Sequence, residues 1–274
     1  MSTERTLFGD RLASAITARQ SQVCLGLDPD PRIAGEGPDA MREFCERLLR
    51  AAGPACVAVK PQLAWFERLG AAGWGVLEYL SELAGELGLL VIADGKRGDI
   101  GVSAAAYAQG LLRSPFDAMT ANPWLGTDSV QPFLDRARAT GRGIFLMVRT
   151  SNPSAAELQD LELADGHPWH EAVARLVSGW GADGVGKAGV SDVGAVVGAT
   201  VPQHLGRLRE LMPDQPFLMP GVGAQGGRPE DLGEAFAGRR ELGVVAASRS
   251  IMKAEDPQRA AEELREALWK VSGP

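Results

Sequence analysis

Acidic and basic side chains alternate in the stretch ADGKRGDIG, residues 93–101. Asp94 and Lys96 are two residues apart at the end of an apolar run, so an extended chain would place both on one face. A buried lysine alone tends to lose its proton, whereas a neighbouring carboxylate keeps it charged. A charged lysine is a local cation and a proton donor. The stretch therefore indicates electrostatic or proton-transfer chemistry, although taken alone it could be an ion-pair network that only ties loops together.

Polar residues also lie at or after the ends of several other apolar runs. They are Asp28, Lys60, Ser151, Gln225 and Arg249. In a barrel of parallel strands the working groups lie at the carboxyl ends of the strands, so these residues would converge there. Convergence of charged groups from separate strands favours an active site over a purely structural ion-pair network.

A glycine-rich stretch, PGVGAQGG at residues 220–227, precedes Arg249 in the segment SRSI. The loops after the seventh and eighth strands are the usual phosphate site of an α/β barrel. The Gln225 amide, the Arg249 guanidinium and the backbone N–H groups that open the next helix are suitable donors for such a group. The pairing predicts a phosphorylated ligand.

Short apolar runs alternate with amphipathic stretches along the chain, which predicts the α/β class and a parallel sheet covered by helices. The runs are residues 23–28, 55–61, 89–94, 118–122, 143–150, 193–199, 217–221 and 244–248. About eight such units favour a closed (β/α)8 TIM barrel over an open sheet. We expect residues 1–274 to form one domain, with a helix near residues 7–19 capping the barrel bottom and residues 257–271 as the last outer helix. Residues 151–189 are long for one connection, so they carry an insertion or fold partly over the active site.

The composition excludes several classes of protein. The formal net charge of −7 argues against general nucleic-acid binding, which needs a basic face. No apolar run approaches the roughly 18 residues of a membrane span, and the charged first residues do not resemble a signal peptide, so we expect a cytoplasmic protein. The three cysteines form no CxxC pair and are expected in the core.

The histidines do not predict a metal site. Asp165, His167 and His170 are too weak a set of ligands, and His204 is expected to be solvated.

Six motifs in this order resemble the orotidine 5′-phosphate decarboxylases, in particular their longer bacterial branch. They are GLDPDP (26–31), VAVKPQ (57–62), ADGKRGDIG (93–101), VRTSNP (148–153), PGVGAQGG (220–227) and SRSI (248–251). The resemblance covers nearly the whole chain, and DGKRGDIG is its most specific element. It implies a cofactor-free decarboxylation of orotidine 5′-phosphate to UMP and carbon dioxide, in a dimeric barrel.

The resemblance also implies roles for the charged residues. Lys96 would be the proton donor, and Asp94 and Asp99 would form an alternating charge array with Lys60 and Lys96. Members of the family place the equivalents of Asp99, Ile100 and Ser103 in the active site of the neighbouring subunit. The resemblance therefore implies an obligate homodimer with two composite sites.

Further residues would bind the nucleotide, again by resemblance. Asp28 and Lys60 would contact the ribose hydroxyls, Ser151 the pyrimidine edge, and Gln225 and Arg249 the phosphate. Ser248 departs from the glycine that many shorter members have at this position, but its backbone N–H remains available to the phosphate.

Two other functions are considered. The nearest is a metal-dependent sugar-phosphate decarboxylase or aldolase of the same superfamily, which shares DxKxxD but lacks the SNP segment together with PGVGAQGG. A barrel that only binds nucleotides would have lost at least one charged group. All of Asp28, Lys60, Asp94, Lys96, Asp99 and Arg249 are present.

Overall fold

Eight parallel strands close into a barrel in the order of the chain. The computed structural model describes residues 6–273. The strands are β1 (Val23–Leu27), β2 (Ala58–Pro61), β3 (Leu90–Arg97), β4 (Ala118–Ala121), β5 (Gly143–Arg149), β6 (Val193–Val197), β7 (Phe217–Pro220) and β8 (Gly243–Ala247). Each overlaps one of the predicted apolar runs, and pairing of β1 with β8 completes the circle. The TIM barrel prediction is confirmed.

Helices cover the barrel from outside and below. They are α1 (Phe8–Arg19), α2 (Pro31–Ala34), α3 (Gly37–Ala52), α4 (Leu63–Glu67), α5 (Gly70–Glu86), α6 (Gly101–Leu111), α7 (Thr127–Thr140), α8 (Ala156–Gln159), α9 (Trp169–Gly181), α10 (Leu205–Leu211), α11 (Gly233–Phe236), α12 (Arg249–Met252) and α13 (Pro257–Val271). No helix within residues 6–273 is long and apolar enough to cross a membrane.

The strands separate two apolar layers because successive side chains point to opposite faces. In β1, Val23 and Leu25 pack in the outer layer between sheet and helices, whereas Cys24 belongs to the inner layer. The inner layer receives Phe8 from α1, whose ring meets Phe145 of β5 edge-on at 5.9 Å between centroids. This packing fills the lower barrel with apolar side chains, so a ligand has room only towards the carboxyl ends of the strands.

The segment after β5 folds back beside those carboxyl ends. It forms α8 and is held at its end by the carboxylate of Asp160, which accepts hydrogen bonds from Nε and Nη2 of Arg149 at 2.7 and 2.8 Å. The Nδ1 atom of His170, at the start of α9, lies 2.8 Å from the carbonyl oxygen of Gln159. These contacts fix the chain that carries Ser151.

Candidate active site

Three charged side chains meet at the carboxyl ends of β2 and β3. The Nζ atom of Lys60 lies 2.6 Å from Oδ2 of Asp94, and the Nζ atom of Lys96 lies 2.5 Å from Oδ1 of the same carboxylate. The side chains of Lys60 and Asp94 are 9% and 6% exposed, whereas that of Lys96 is 43% exposed. One buried carboxylate therefore holds two ammonium groups, one buried and one open to a ligand.

Burial and charge act against each other in this cluster. Burial opposes ionisation of Asp94, but the charges of Lys60 and Lys96 outweigh it and hold the pKa of this carboxyl well below its usual range. Burial likewise opposes protonation of Lys60, but Asp94 and Asp28 outweigh it and raise the pKa of the Lys60 ammonium above its usual range. At neutral pH both groups are charged.

The backbone around Lys96 is irregular, unlike the extended run expected from the sequence. The pairing of β3 with β4 shifts register between Ala93 and Arg97, and Lys96 has a left-handed φ of +46°. Its backbone N–H donates to Oγ1 of Thr120 at 2.9 Å, and that hydroxyl donates to Oδ1 of Asp94 at 2.9 Å. Asp94 and Lys96 still face the same side, because the bulge turns the lysine back towards the carboxylate.

A cavity of about 370 Å³ opens above the charged cluster. Its lining includes six residues expected from the sequence, namely Asp28, Lys60, Asp94, Lys96, Ser151 and Gln225. The remaining lining residues are Gln62, Thr120, Met147, Thr150, Asn152, Val196, Leu218 and Pro220. The lining thus combines charged groups, apolar side chains and several amides or hydroxyls, as binding sites for small molecules do.

A narrower cavity of about 70 Å³ adjoins the first and shares Asp28, Lys60, Pro220 and Gln225 with it. Its other lining residues include Gly221, Ser248 and Arg249. The Arg249 guanidinium has no ion pair or hydrogen bond among residues 6–273. Gly26 provides room here, because a Cβ on Gly26 would lie 2.8 Å from Cβ of Ser248. A small space beside an available guanidinium and a glycine-rich loop suits an anion of phosphate size.

Asp99, Ile100 and Ser103 do not line either cavity of the single chain. Asp99 accepts a hydrogen bond from the backbone N–H of Ile100 at 2.8 Å, and both lie where α6 begins. The side chain of Ile100 is 57% exposed. One chain therefore brings together Lys60, Asp94 and Lys96 but leaves Asp99 outside.

His204 is not solvated as expected, and that prediction is wrong. It is half-buried, and its ring packs against that of His170 with 4.7 Å between centroids, because α9 and α10 are neighbours in the outer layer. Asp160, His170 and His204 place one possible ligand atom each within 4.8 Å of one another. The Asp160 carboxylate is already paired with Arg149, so a divalent cation here would have to displace or face a guanidinium.

Two residues that donate hydrogen bonds to Asp94 were not singled out in the sequence. Gln62 follows β2, and its Nε2 atom donates to Oδ2 of Asp94 at 3.3 Å. Thr120 lies within β4, where it contacts both Asp94 and the backbone of Lys96. Both are polar residues near the end of an apolar run. Polarity alone, without a charge, was the signal, and the run of residues 118–122 that contains Thr120 carries no charged residue at all.

Comparison with known proteins places the chain in a family. A sequence model described as the orotidine 5′-phosphate decarboxylase / HUMPS family matches residues 21–264. The orotidine 5′-phosphate decarboxylase of Halorubrum lacusprofundi is 42% identical over 93% of this chain and 91% of its own length. The structure of Leishmania donovani OMP decarboxylase has a TM-score of 0.85 and 34% identity, covering 97% of this chain and 99% of that one.

A longer relative has the same fold over part of its length. Leishmania donovani UMP synthase matches with a TM-score of 0.87 and 36% identity, and the match covers 97% of this chain but 57% of that one. These similarities establish the family of the chain, and the charged cluster at the strand ends agrees with them. The chain belongs to the orotidine 5′-phosphate decarboxylase / HUMPS family.

Proposed function

We propose that this chain is a carboxy-lyase that converts orotidine 5′-phosphate to UMP and carbon dioxide in pyrimidine biosynthesis. The observation that carries the proposal is the Lys60–Asp94–Lys96 cluster at the base of a nucleotide-sized cavity, beside a separate small cavity suited to phosphate. Relatives named for this activity are about as long as this chain and match it almost throughout.

The geometry suits a reaction that depends on electrostatics. Breaking the bond between C6 of the pyrimidine and the carboxyl carbon leaves an electron pair in an sp² orbital of C6, which the ring π system cannot delocalise. A fixed cation beside C6 stabilises this charge without reorganisation. Lys96, held by Asp94 and open to the cavity, would supply that cation and then transfer a proton from Nζ to C6, giving UMP. Solvent would reprotonate the lysine.

The remaining cavity residues would orient the substrate. Asp28 and the buried Lys60 lie where the two cavities join, which suits the ribose hydroxyls between base and phosphate. Ser151 would contact the pyrimidine edge. Arg249 and Gln225, with the Ser248 backbone, would bind the phosphate. Binding energy from this remote group can be used to hold the base against Lys96.

We further propose that two chains form a homodimer in which Asp99, Ile100 and Ser103 complete the partner's site. Support comes from the apolar side chains exposed around the start of α6, with Ile100 57% and Val102 89% exposed, and from Trp124, which is 60% exposed beside a cavity that includes Lys96. Apolar patches of this kind mark interaction surfaces. The cytoplasmic location expected from the sequence stays a prediction.

The dimer can be tested by mixing inactive variants. Lys96→Ala and Asp99→Ala homodimers should each be nearly inactive. After subunit exchange, one site of each mixed dimer would contain both native residues, so activity should return. Absence of recovery after exchange, shown independently by tagged subunits, would exclude a shared site.

The activity is tested by the loss of orotidine 5′-phosphate absorbance with purified protein, with and without a chelator. We expect turnover that chelation leaves unchanged and that Lys96→Ala abolishes with little change in UMP affinity. Loss of turnover in chelator, with activity on ketose phosphates, would instead support the metal-dependent sugar-phosphate reaction. UMP binding without any turnover would indicate a nucleotide-binding barrel.

A further inference from the structure

Thr120 is a buried hydroxyl residue between the two charged groups of β3. It is 1% exposed and lies next to the last residue of β4. Its Oγ1 atom accepts from the backbone N–H of Lys96 and donates to Oδ1 of Asp94, each at 2.9 Å. A hydroxyl carries one proton, so the bond given to Asp94 leaves only its lone pairs for the Lys96 N–H.

The bond to the Lys96 backbone is needed because that backbone is in an unfavourable conformation. Lys96 has a φ of +46°, a left-handed value that residues other than glycine rarely adopt because Cβ approaches the following carbonyl oxygen. Such conformations persist only where the surroundings hold them. In β3 the register shift between Ala93 and Arg97 removes the regular ladder on either side of this residue.

Thr120, Asp94 and Lys96 form a closed ring of contacts. The ring runs from the Lys96 N–H to Oγ1 of Thr120, on to Oδ1 of Asp94, and from that oxygen to Nζ of Lys96 at 2.5 Å. Both ends of the lysine, its amide and its ammonium, are therefore tied to one buried hydroxyl and one carboxylate oxygen.

We propose that Thr120 is a positioning residue for the reaction. By holding the backbone of Lys96 and the carboxylate of Asp94 together, it sets the direction of the Lys96 ammonium. This inference rests on the proposed function of Lys96 as cation and proton donor. It assigns to Thr120 an effect on the chemical step and none on the binding of UMP. Displacement of a reacting group by about 1 Å can cost on the order of 100-fold in rate.

The test replaces the hydroxyl by a methyl group of similar size. Thr120→Val should lower kcat for orotidine 5′-phosphate by about 10- to 100-fold, while the Kd of UMP changes less than about twofold. Thr120→Ser keeps the hydroxyl and should restore most of kcat. A merely structural role would instead lower the melting temperature and the fraction of active protein without this split between kcat and Kd.

Ser191 offers a matched control at the opposite end of the barrel. It is 0% exposed, its Oγ donates to the carbonyl of Gly181 at 2.8 Å and accepts from the N–H of Val193 at 3.1 Å. Ser191→Ala likewise removes one donated and one accepted hydrogen bond, but far from Lys96, so it should cost stability and leave kcat unchanged.

A crystal structure of Thr120→Val separates this inference from the proposed function. We expect the Lys96 φ to leave the left-handed region and Nζ to lose contact with Asp94. An unchanged Lys96 in that structure, or a wild-type kcat, overturns the positioning role whether or not the reaction is the proposed one. A wild-type protein that binds UMP but never turns over the substrate would refute the proposed function alone, because the structural readout remains.

Discussion

The pH dependence of stability should contain a step that originates from one carboxylate at the bottom of the barrel. Asp192 lies directly before β6 and is 1% exposed. Neither carboxylate oxygen accepts a hydrogen bond within residues 6–273, and the nearest cation is Nε of Arg138 at 3.7 Å. Burial raises the pKa of Asp192 from 3.8 to about 6, although the Arg138 charge acts in the opposite direction.

The sign follows from proton linkage. Between pH 3.8 and about 6 the folded state binds the proton that the unfolded state has released, so stability falls as pH rises through this window. A difference of about 2 pKa units corresponds to about 3 kcal/mol, lost in full above pH 6. Of this, about 2 kcal/mol should be lost between about pH 4 and about pH 7.

Asp192→Asn removes the titrating group and should remove the step. Wild type and variant are unfolded in urea at fixed protein concentration, from about pH 4 to about pH 7. In the difference between their unfolding free energies, the contributions of the other titrating groups cancel. The difference should change by about 2 kcal/mol in favour of the variant as pH rises. The absolute difference also includes about 1–3 kcal/mol for burying the N–H donors of the new asparagine amide. The change of the difference with pH is therefore the decisive quantity.

Asp183→Asn is the matched control, because Asp183 is exposed on the neighbouring turn and its replacement removes the same formal charge. This control should leave the pH dependence as in wild type. A difference curve for Asp192→Asn that stays flat across the window would refute the assignment of a raised pKa. Both variants should keep wild-type kcat/KM, since they lie at the end of the barrel opposite the cavity.

Two further substitutions probe the rim of the site. Arg249→Ala should lower kcat/KM about 10²- to 10³-fold, because charge-assisted hydrogen bonds to the phosphate are lost, and should leave the melting temperature unchanged. The control Arg228→Ala, which removes an exposed arginine paired with Glu230, should leave both kcat/KM and the melting temperature unchanged. A wild-type kcat/KM for Arg249→Ala would exclude the phosphate role. Asp160→Asn removes the carboxylate that pairs with the buried Arg149 guanidinium, so it should cost about 2–3 kcal/mol in urea unfolding and raise KM. An unchanged KM would show that the segment after β5 holds its position by other contacts.

The barrel was predictable because its strands are buried on both faces. A run such as residues 193–199 is apolar without interruption, and β6 lies inside it. The last helix, α13, has the predicted bounds of residues 257–271, because a proline opens it and apolar residues recur at helical spacing up to its end. Local sequence carries this information.

The cavity was predictable in composition but not in detail. Strand ends that carry acids and bases identified Lys60, Asp94 and Lys96, since the fold requires those ends to converge. The left-handed backbone of Lys96 and its bond to Thr120 depend on the register between β3 and β4, which no local pattern specifies. His204 was misjudged for a similar reason, because its burial depends on packing between two helices.

The packing of α1 has a consequence for how the chain is made. The groups on which this helix docks lie far along the chain, because Phe8 packs against Gly143 at the start of β5, and a Cβ on Gly9 would lie 2.0 Å from the carbonyl oxygen of Val190. Its docking place therefore does not exist until β5 and the segment before β6 have been synthesised. Until then the apolar face of α1 has no native partner, so nascent chains that end before Val190 should bind holdase chaperones.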